Sequence, residues 1–363
     1  MDDTSLLDLL TEPEQFPGTL ARRRRRWPWV LAGLGLSLVL LASLTTAGLW
    51  YLDHKITGQI GRLPEVFSSV DHRPARPTGA AGRATNILLI GSDRRSPVPT
   101  TGERARAATW IPGEQRSDTL MLVHISANRR DVTVVSIPRD SWVNIPGYGR
   151  HKVNAAFSYG GPSLAVRTVE QLTGIRIDHL AVVDWDGFRR LTDVLGGVTV
   201  RIPRTVYDSA RRKTWTAGWH HLNGAQALLY VRERHGLPGG DLDRVRRQQN
   251  LLRVLFRKAA RTSVWSHPVQ DVRLANAIAG DLSVDSGWSA HQMLQLARQV
   301  HGAQHRRLQF TTAPVSGTGR VGAEDVVFLD HHADRGLWRA IDHDRAVPWF
   351  QQHPGHLLGG SVR

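Results

Sequence analysis

The residues in this chain best suited to chemistry are carboxylates and arginines, and they fall in three groups. Asp241, Arg244 and Gln248 follow Gly240 at i, i+3 and i+7, so one helix face carries all three. Val245, Leu251, Leu252, Leu255 and Phe256 project from that side, while Arg246, Arg247, Arg253 and Arg257 take the other. The polar stripe therefore continues a core-facing one. An unpartnered buried Asp or Arg costs roughly several kcal/mol, so these residues either bridge one another, as an Asp241–Arg244 pair, or hold a ligand. A ligand site is the reading adopted. Arg232 and Arg234, at i and i+2, cannot share a helix face and serve one site only where the chain leaves the helix. Guanidinium is the group that binds phosphate in a planar, multidentate way. Asp93, Arg116, Asp118 and Arg139 make the third group. Two close carboxylates repel without a cation, so Asp93 and Asp118 call for Mg²⁺ or a similar hard ion such as Mn²⁺.

Elements must bring these residues together. Asn86–Gly91, Thr119–Ser126 and Asp131–Pro138 read as three strands, the last two separated by a turn at Ala127–Arg130. If they pair as antiparallel neighbours, the end of the first, the start of the second and the end of the third share one sheet edge. Asp93, Arg116, Asp118 and Arg139 then converge. Further on, the pattern predicts a helix over 163–173, a strand over 180–184, a short helix over 186–195 stopped by Gly196-Gly197, and a strand over 198–202. Residues 223–234 and 289–299 read as helical, 307–313 as a strand and 324–347 as helix-rich. His331, His332, His343 and His353 lack metal-ligand spacing.

The chain has 363 residues, a formal charge of +15 and no cysteine. The charge calls for an anionic partner; the missing cysteine excludes disulfides, thiolate metal sites and thiol catalysis. Arg22–Arg26 precede an uncharged apolar span from Trp27 to Leu52, long enough for about 30 Å of hydrocarbon and bounded by Trp27, Trp29, Trp50 and Tyr51. The arginines should stay cytoplasmic, which places the rest of the chain outside the cell; a cleaved signal peptide is the alternative. This topology argues against nucleic acid as partner and for the membrane and cell-wall polyanions. The expected organisation is a cytoplasmic tail (1–26), a transmembrane helix (27–52), a Gly/Pro/Arg-rich extracytoplasmic linker (53–84), a catalytic domain (85–350) and a tail (351–363).

Taken together, the motifs resemble the LytR-CpsA-Psr family of cell-envelope glycopolymer ligases. The likeness runs through Asn86–Arg94, Arg116–Thr119, Ser136–Asp140, Lys152–Ala156 and Val183–Phe188. It continues in Leu195–Val198, Leu222–Leu228, Tyr230–Arg234 and the Asp241, Arg244, Arg247-Gln-Gln249 helix. Asp243 stands where the family more often has Gly. The resemblance implies an α/β fold, a three-layer sandwich with a central mixed sheet flanked by helices, and an apolar tunnel for a polyprenyl chain. It implies transfer of a polyprenyl-pyrophosphate-linked glycopolymer onto peptidoglycan with Mg²⁺ at the pyrophosphate. Asp93 and Asp118 would hold the metal. Arg116, Arg139, Arg232, Arg234, Arg244 and Gln248 would hold the pyrophosphate, with Asp241 orienting the arginines or acting as base. A polyprenyl-pyrophosphate pyrophosphatase and a non-catalytic envelope sensor are the alternatives.

Overall fold

The computed structural model describes residues 60–358 apart from position 69 and the stretches 95–114, 234–236, 238–240, 262–279, 281 and 303–306. The arginine run, the apolar span at 27–52 and Arg234 lie outside these residues, and of Asp93, Arg116 and Asp241 only the backbone is described. Among the described residues no helix is long and apolar enough to cross a membrane.

After β1 (Gly61–Leu63), the three expected strands form as β2 (Thr85–Arg94), β3 (Gln115–Ile125) and β4 (Asp131–Ile137). They pair antiparallel in sequence, as their turn signals require. A hairpin of β5 (Trp142–Ile145) and β6 (Gly149–Lys152) leads into helix α1 (Val153–Thr173). This helix starts a full ten residues before the expected point. Gly160 and Gly161 leave helical geometry ahead of Pro162, so one kinked helix reads from the sequence as a turn plus a shorter one. Strand β7 (His179–Asp184) pairs parallel to β2, and α2 (Trp185–Val194) follows. An excursion through β8 (Val198–Ile202), β9 (Val206–Asp208), β10 (Lys213–Trp215) and β11 (Gly218–Leu222) returns as α3 (Gly224–Arg232) and α4 (Asp241–Arg261). The chain closes with β12 (Leu282–Asp285), α5 (Ala290–Gly302), β13 (Arg307–Thr312), β14 (Val315–Val321), β15 (Glu324–Leu329), α6 (His331–Asp342) and α7 (Ala346–Gln352).

The central sheet is mixed and seven-stranded, in the order β1-β12-β7-β2-β3-β4-β13. Burial on both faces explains why its inner strands read as continuous apolar runs. Leu88, Ile90, Leu120, Leu122, Val135, Ile137, Leu180 and Val182 pack on one face against Phe157 and Val166 of α1 and Leu337 and Ile341 of α6. Met121, Val123, Val134, Ala181 and Phe310 pack on the other against Leu252 of α4 and Met293 of α5. Helices thus cover both faces of one sheet.

Three expectations fail. The linker over 53–84 does not hold from Ile60 onward: β1 pairs with β12, and Leu63, Val66 and Val70 join the core. Arg73 also donates to Glu170 at 2.7 Å. A few apolar residues at an edge suffice to dock a segment whose composition reads as a spacer. Residues 324–329 form a strand, because Val326 and Val327 find partners in β14 that no helical period reveals. The tail is packed as far as Leu358, whose N–H donates to Phe310 O at 2.8 Å.

Candidate active site

The strands pair in the order expected from the sequence. The ends of β2, β4 and β7 and the start of β3 lie at one end of the sheet. Register places Asp93 opposite Arg116 and Ser92 opposite Ser117, with a bulge that leaves Asp118 as the extra residue between Ser117 and Thr119. A bulge at a strand end turns the chain locally and re-aims a side chain. Here Asp118 meets the chain leaving β4: Arg139 Nη1 donates to its Oδ1 at 2.8 Å. Arg139 Nε also lies 3.4 Å from Asp140, and Lys152 Nζ lies 3.7 Å from the same carboxylate. The pair is about one-sixth exposed on each side, so it is shielded but open to a ligand.

The apolar face of the sheet ends in polar groups. The stripe Leu88, Ile90 continues in Ser92, and Leu180, Val182 continues in Asp184, its register partner. Ser92 and Ser117 are fully buried, and among the described residues neither hydroxyl has a hydrogen-bond partner. A buried hydroxyl without a partner costs about 1–3 kcal/mol, a cost that a ligand at this polar edge would offset. Asp184 caps α2 by accepting from Gly187 N at 2.7 Å. The next residue, Trp185, lies under the Arg232 guanidinium, 5.2 Å from ring to cation. Arg232 is the last residue of α3, and Glu233 after it is extended, so the chain does leave the helix at this pair.

Helix α4 begins at Asp241 as expected. Arg244 and Gln248 are buried, and Gln248 Nε2 reaches Val231 O, beside Arg232, at 3.4 Å. The assignment of an outer face fails in part. Arg246 and Arg257 are exposed, but Arg247 is only 3% exposed and Arg253 is buried, while Phe256 is 38% exposed. The helix is wedged between the β8–β11 excursion, α3 and the sheet, so its buried arc is wider than one stripe. Asp243 is also buried and accepts from Arg246 at 3.1 Å.

Arg247 is held by a residue that sequence reasoning missed. It forms an ion pair and hydrogen bond with Glu233, which is fully buried, and stacks on the Tyr230 ring at 4.6 Å. Burial raises the Glu233 carboxyl above its ordinary range, and Arg247 opposes the rise. Burial likewise raises Tyr230. The pair fastens the end of α3 to α4 and so fixes Arg232 relative to Arg244. The available signal was an acid between two arginines at a helix end.

Of the expected site residues, then, Asp118 and Arg139 touch. Arg232, Arg244 and Gln248 belong to the α3–α4 junction, which reaches the same sheet end through Trp185. Asp93 and Arg116 are placed there by register alone. Among the described residues, no three His, Asp or Glu side chains are grouped to hold a metal.

The chain is an α/β sandwich whose strand ends present arginines and carboxylates over an apolar layer. The LytR-CpsA-Psr family model matches residues 62–340, and the chain belongs to that family. It is 33% identical over 276 residues to the probable cell wall biosynthesis protein LcpB of Corynebacterium glutamicum, covering 76% of this chain and 65% of that relative. It is 31% identical to the polyisoprenyl-teichoic acid–peptidoglycan teichoic acid transferase TagU of Oceanobacillus iheyensis, covering 82% of this chain and 88% of TagU. The LytR-Csp2A-Psr enzyme of Actinomyces oris shares the fold, with a TM-score of 0.57 at 23% identity over 74% of this chain and 93% of that one.

Proposed function

We propose that the protein is a membrane-anchored, extracytoplasmic phosphotransferase that moves a glycopolymer from a polyprenyl-pyrophosphate carrier onto peptidoglycan. The observation that supports this most is the polar end of the apolar layer. Buried, unpartnered Ser92 and Ser117 hydroxyls lie beside the Asp118–Arg139 pair, where the stripe of Leu88 and Ile90 stops. The charged head of a lipid-linked donor suits such a polar edge. Family membership and the transferase relative TagU point the same way.

In the proposed reaction a sugar hydroxyl of the acceptor attacks the phosphorus that carries the polymer. The new P–O bond forms as the bond to the bridging oxygen breaks, and the electron pair leaves with polyprenyl phosphate. Phosphoryl transfer needs alignment and charge neutralisation more than covalent help. Arg139, Arg232 and Arg244 supply donors fixed in place before the charge develops, and Arg116 and Arg234 are the further residues proposed to bind the pyrophosphate. Gln248 adds a neutral donor. Asp241 takes the hydroxyl proton or orients the arginines. Carboxylate and hydroxyl oxygens at the bulge suit a hard cation, and Asp93 and Asp118 are the residues proposed to hold Mg²⁺ or Mn²⁺. Such an ion would neutralise pyrophosphate charge beside those carboxylates.

The test is release of polyprenyl phosphate from a lipid-linked donor with and without peptidoglycan. Acceptor-dependent release supports the transferase. Release that ignores the acceptor identifies a pyrophosphatase, and donor binding without release identifies a sensor.

A further inference from the structure

We propose that the β8–β11 excursion is a membrane-surface contact that holds the mouth of the site against an anionic leaflet. The excursion packs on the α3–α4 junction that carries Arg232 and Arg244. Its inner face, Val198, Val200, Ile202 and Trp215, packs on α3 and α4, with Trp215 edge-on to Tyr230 at 5.6 Å. Asp208 and Arg211 act electrostatically on Glu233, at the same end of α3 that presents Arg232.

Its outer face is unusual. Strand alternation on a hairpin whose inner face is buried calls for polar residues outside. Here Trp219, directly opposite Arg201 in register, is 71% exposed, and Tyr207 is 54% exposed. Scattered exposed aliphatics need no explanation, but an indole and a phenol held in water among cations do. Residues 201–219 carry five cations, Arg201, Arg204, Arg211, Arg212 and Lys213, against one carboxylate, Asp208. Asp208 is buried and already bound to Arg211 at 3.0 Å. Each of the two strand pairs therefore exposes cations beside one amphipathic ring. That pairing suits a phospholipid headgroup layer, where aromatic rings settle at the interface and each basic residue adds attraction to anionic lipid.

Chain entry agrees with this orientation. β1 is parallel to β12 and β12 antiparallel to β7, so Gly61 pairs with Ser283 and Ser283 with Val182. The polypeptide thus joins the sheet at the end where β7 delivers Asp184 to the site. Only seven residues, 53–59, separate the apolar span ending at Leu52 from Ile60. The inference rests on the proposed membrane-borne donor, and the following experiment reads docking directly, so it can fail without touching the transferase reading.

The chain has no cysteine, so single reporters are clean. In full-length protein, Thr214→Cys, the exposed register partner of Tyr207, and separately Ser209→Cys carry an environment-sensitive dye. Arg130→Cys, in the turn between β3 and β4 at the opposite sheet end, is the control. In nanodiscs of phosphatidylglycerol both reporters should shift to the blue and be quenched by lipid-borne quencher, while the control stays aqueous. Phosphatidylcholine should weaken the response. Arg204→Ala should lower the docking equilibrium constant about fivefold for one basic residue, and Trp219→Ala should lower it too. Aqueous spectra at both reporters in phosphatidylglycerol overturn the proposal. So does a response in detergent to a soluble phosphate-rich glycopolymer with none to phosphatidylglycerol, which would assign the patch to a polyanion.

Discussion

Asp334 gives the sharpest stability prediction. It lies on the inner side of α6, 3% exposed, and among the described residues neither carboxylate oxygen has a hydrogen-bond partner. Burial, then the charge of Asp330, pushes its pKa from 3.8 up to about 7. Because the folded-state value is raised, the folded chain keeps a proton that the unfolded chain gives up. Its contribution to stability is full below about pH 4 and is lost progressively as pH rises to about 7. A rise of about three pH units corresponds to roughly 4 kcal/mol, of which roughly 3 falls between pH 5 and 8. Asp334→Asn removes the titration while keeping the shape. Its amide meets the same partnerless surroundings and carries a pH-independent cost of roughly 1–3 kcal/mol, so the informative quantity is the difference in slope. Denaturant midpoints of the wild type and the variant, measured at pH 5 and pH 8 on full-length protein in detergent, give the difference. The variant should gain on the wild type by roughly 3 kcal/mol toward alkaline pH. Parallel pH profiles would refute the reasoning, for they would mean that Asp334 is charged and compensated in the fold.

Arg244→Ala should cost roughly 2–4 kcal/mol of transition-state stabilisation in polyprenyl phosphate release, while exposed Arg246→Ala stays near neutral; equal losses would remove α4 from the site. Arg247→Ala should destabilise the domain by roughly 3–5 kcal/mol, because buried Glu233 loses its partner, and thermal melting reads this directly. Asp93→Asn and Asp118→Asn should each weaken metal-dependent turnover, and the double change should add little if they act as one unit; full activity in chelator would exclude the shared ion. A C-terminal alkaline-phosphatase fusion should be active and membrane-bound, and a shortened soluble product would exclude an uncleaved anchor.

Much of the sheet edge was legible in the sequence because the rules involved are local or nearly so. Apolar runs marked β2, β3 and β4, short turns made antiparallel neighbours of them, and antiparallel order brought Asp118 to Arg139 across 21 positions. The helical pattern ran on to 234; that α3 ends at Arg232 is the condition the two arginines set for serving one site. What periodicity could not give was the environment of each face. A heptad-like stripe says which side of α4 is most apolar, not how many neighbours surround the helix. Arg247 is buried because Glu233, 14 positions away and in another element, neutralises it. The same holds for β1 and the 354–358 segment, whose composition looks like linker until a sheet edge and a strand end receive them. Charge type, spacing and strand order are written along the chain. Which charges are taken out of water depends on partners that only the packed structure brings within reach, since desolvation is a property of the whole surrounding and not of the residue.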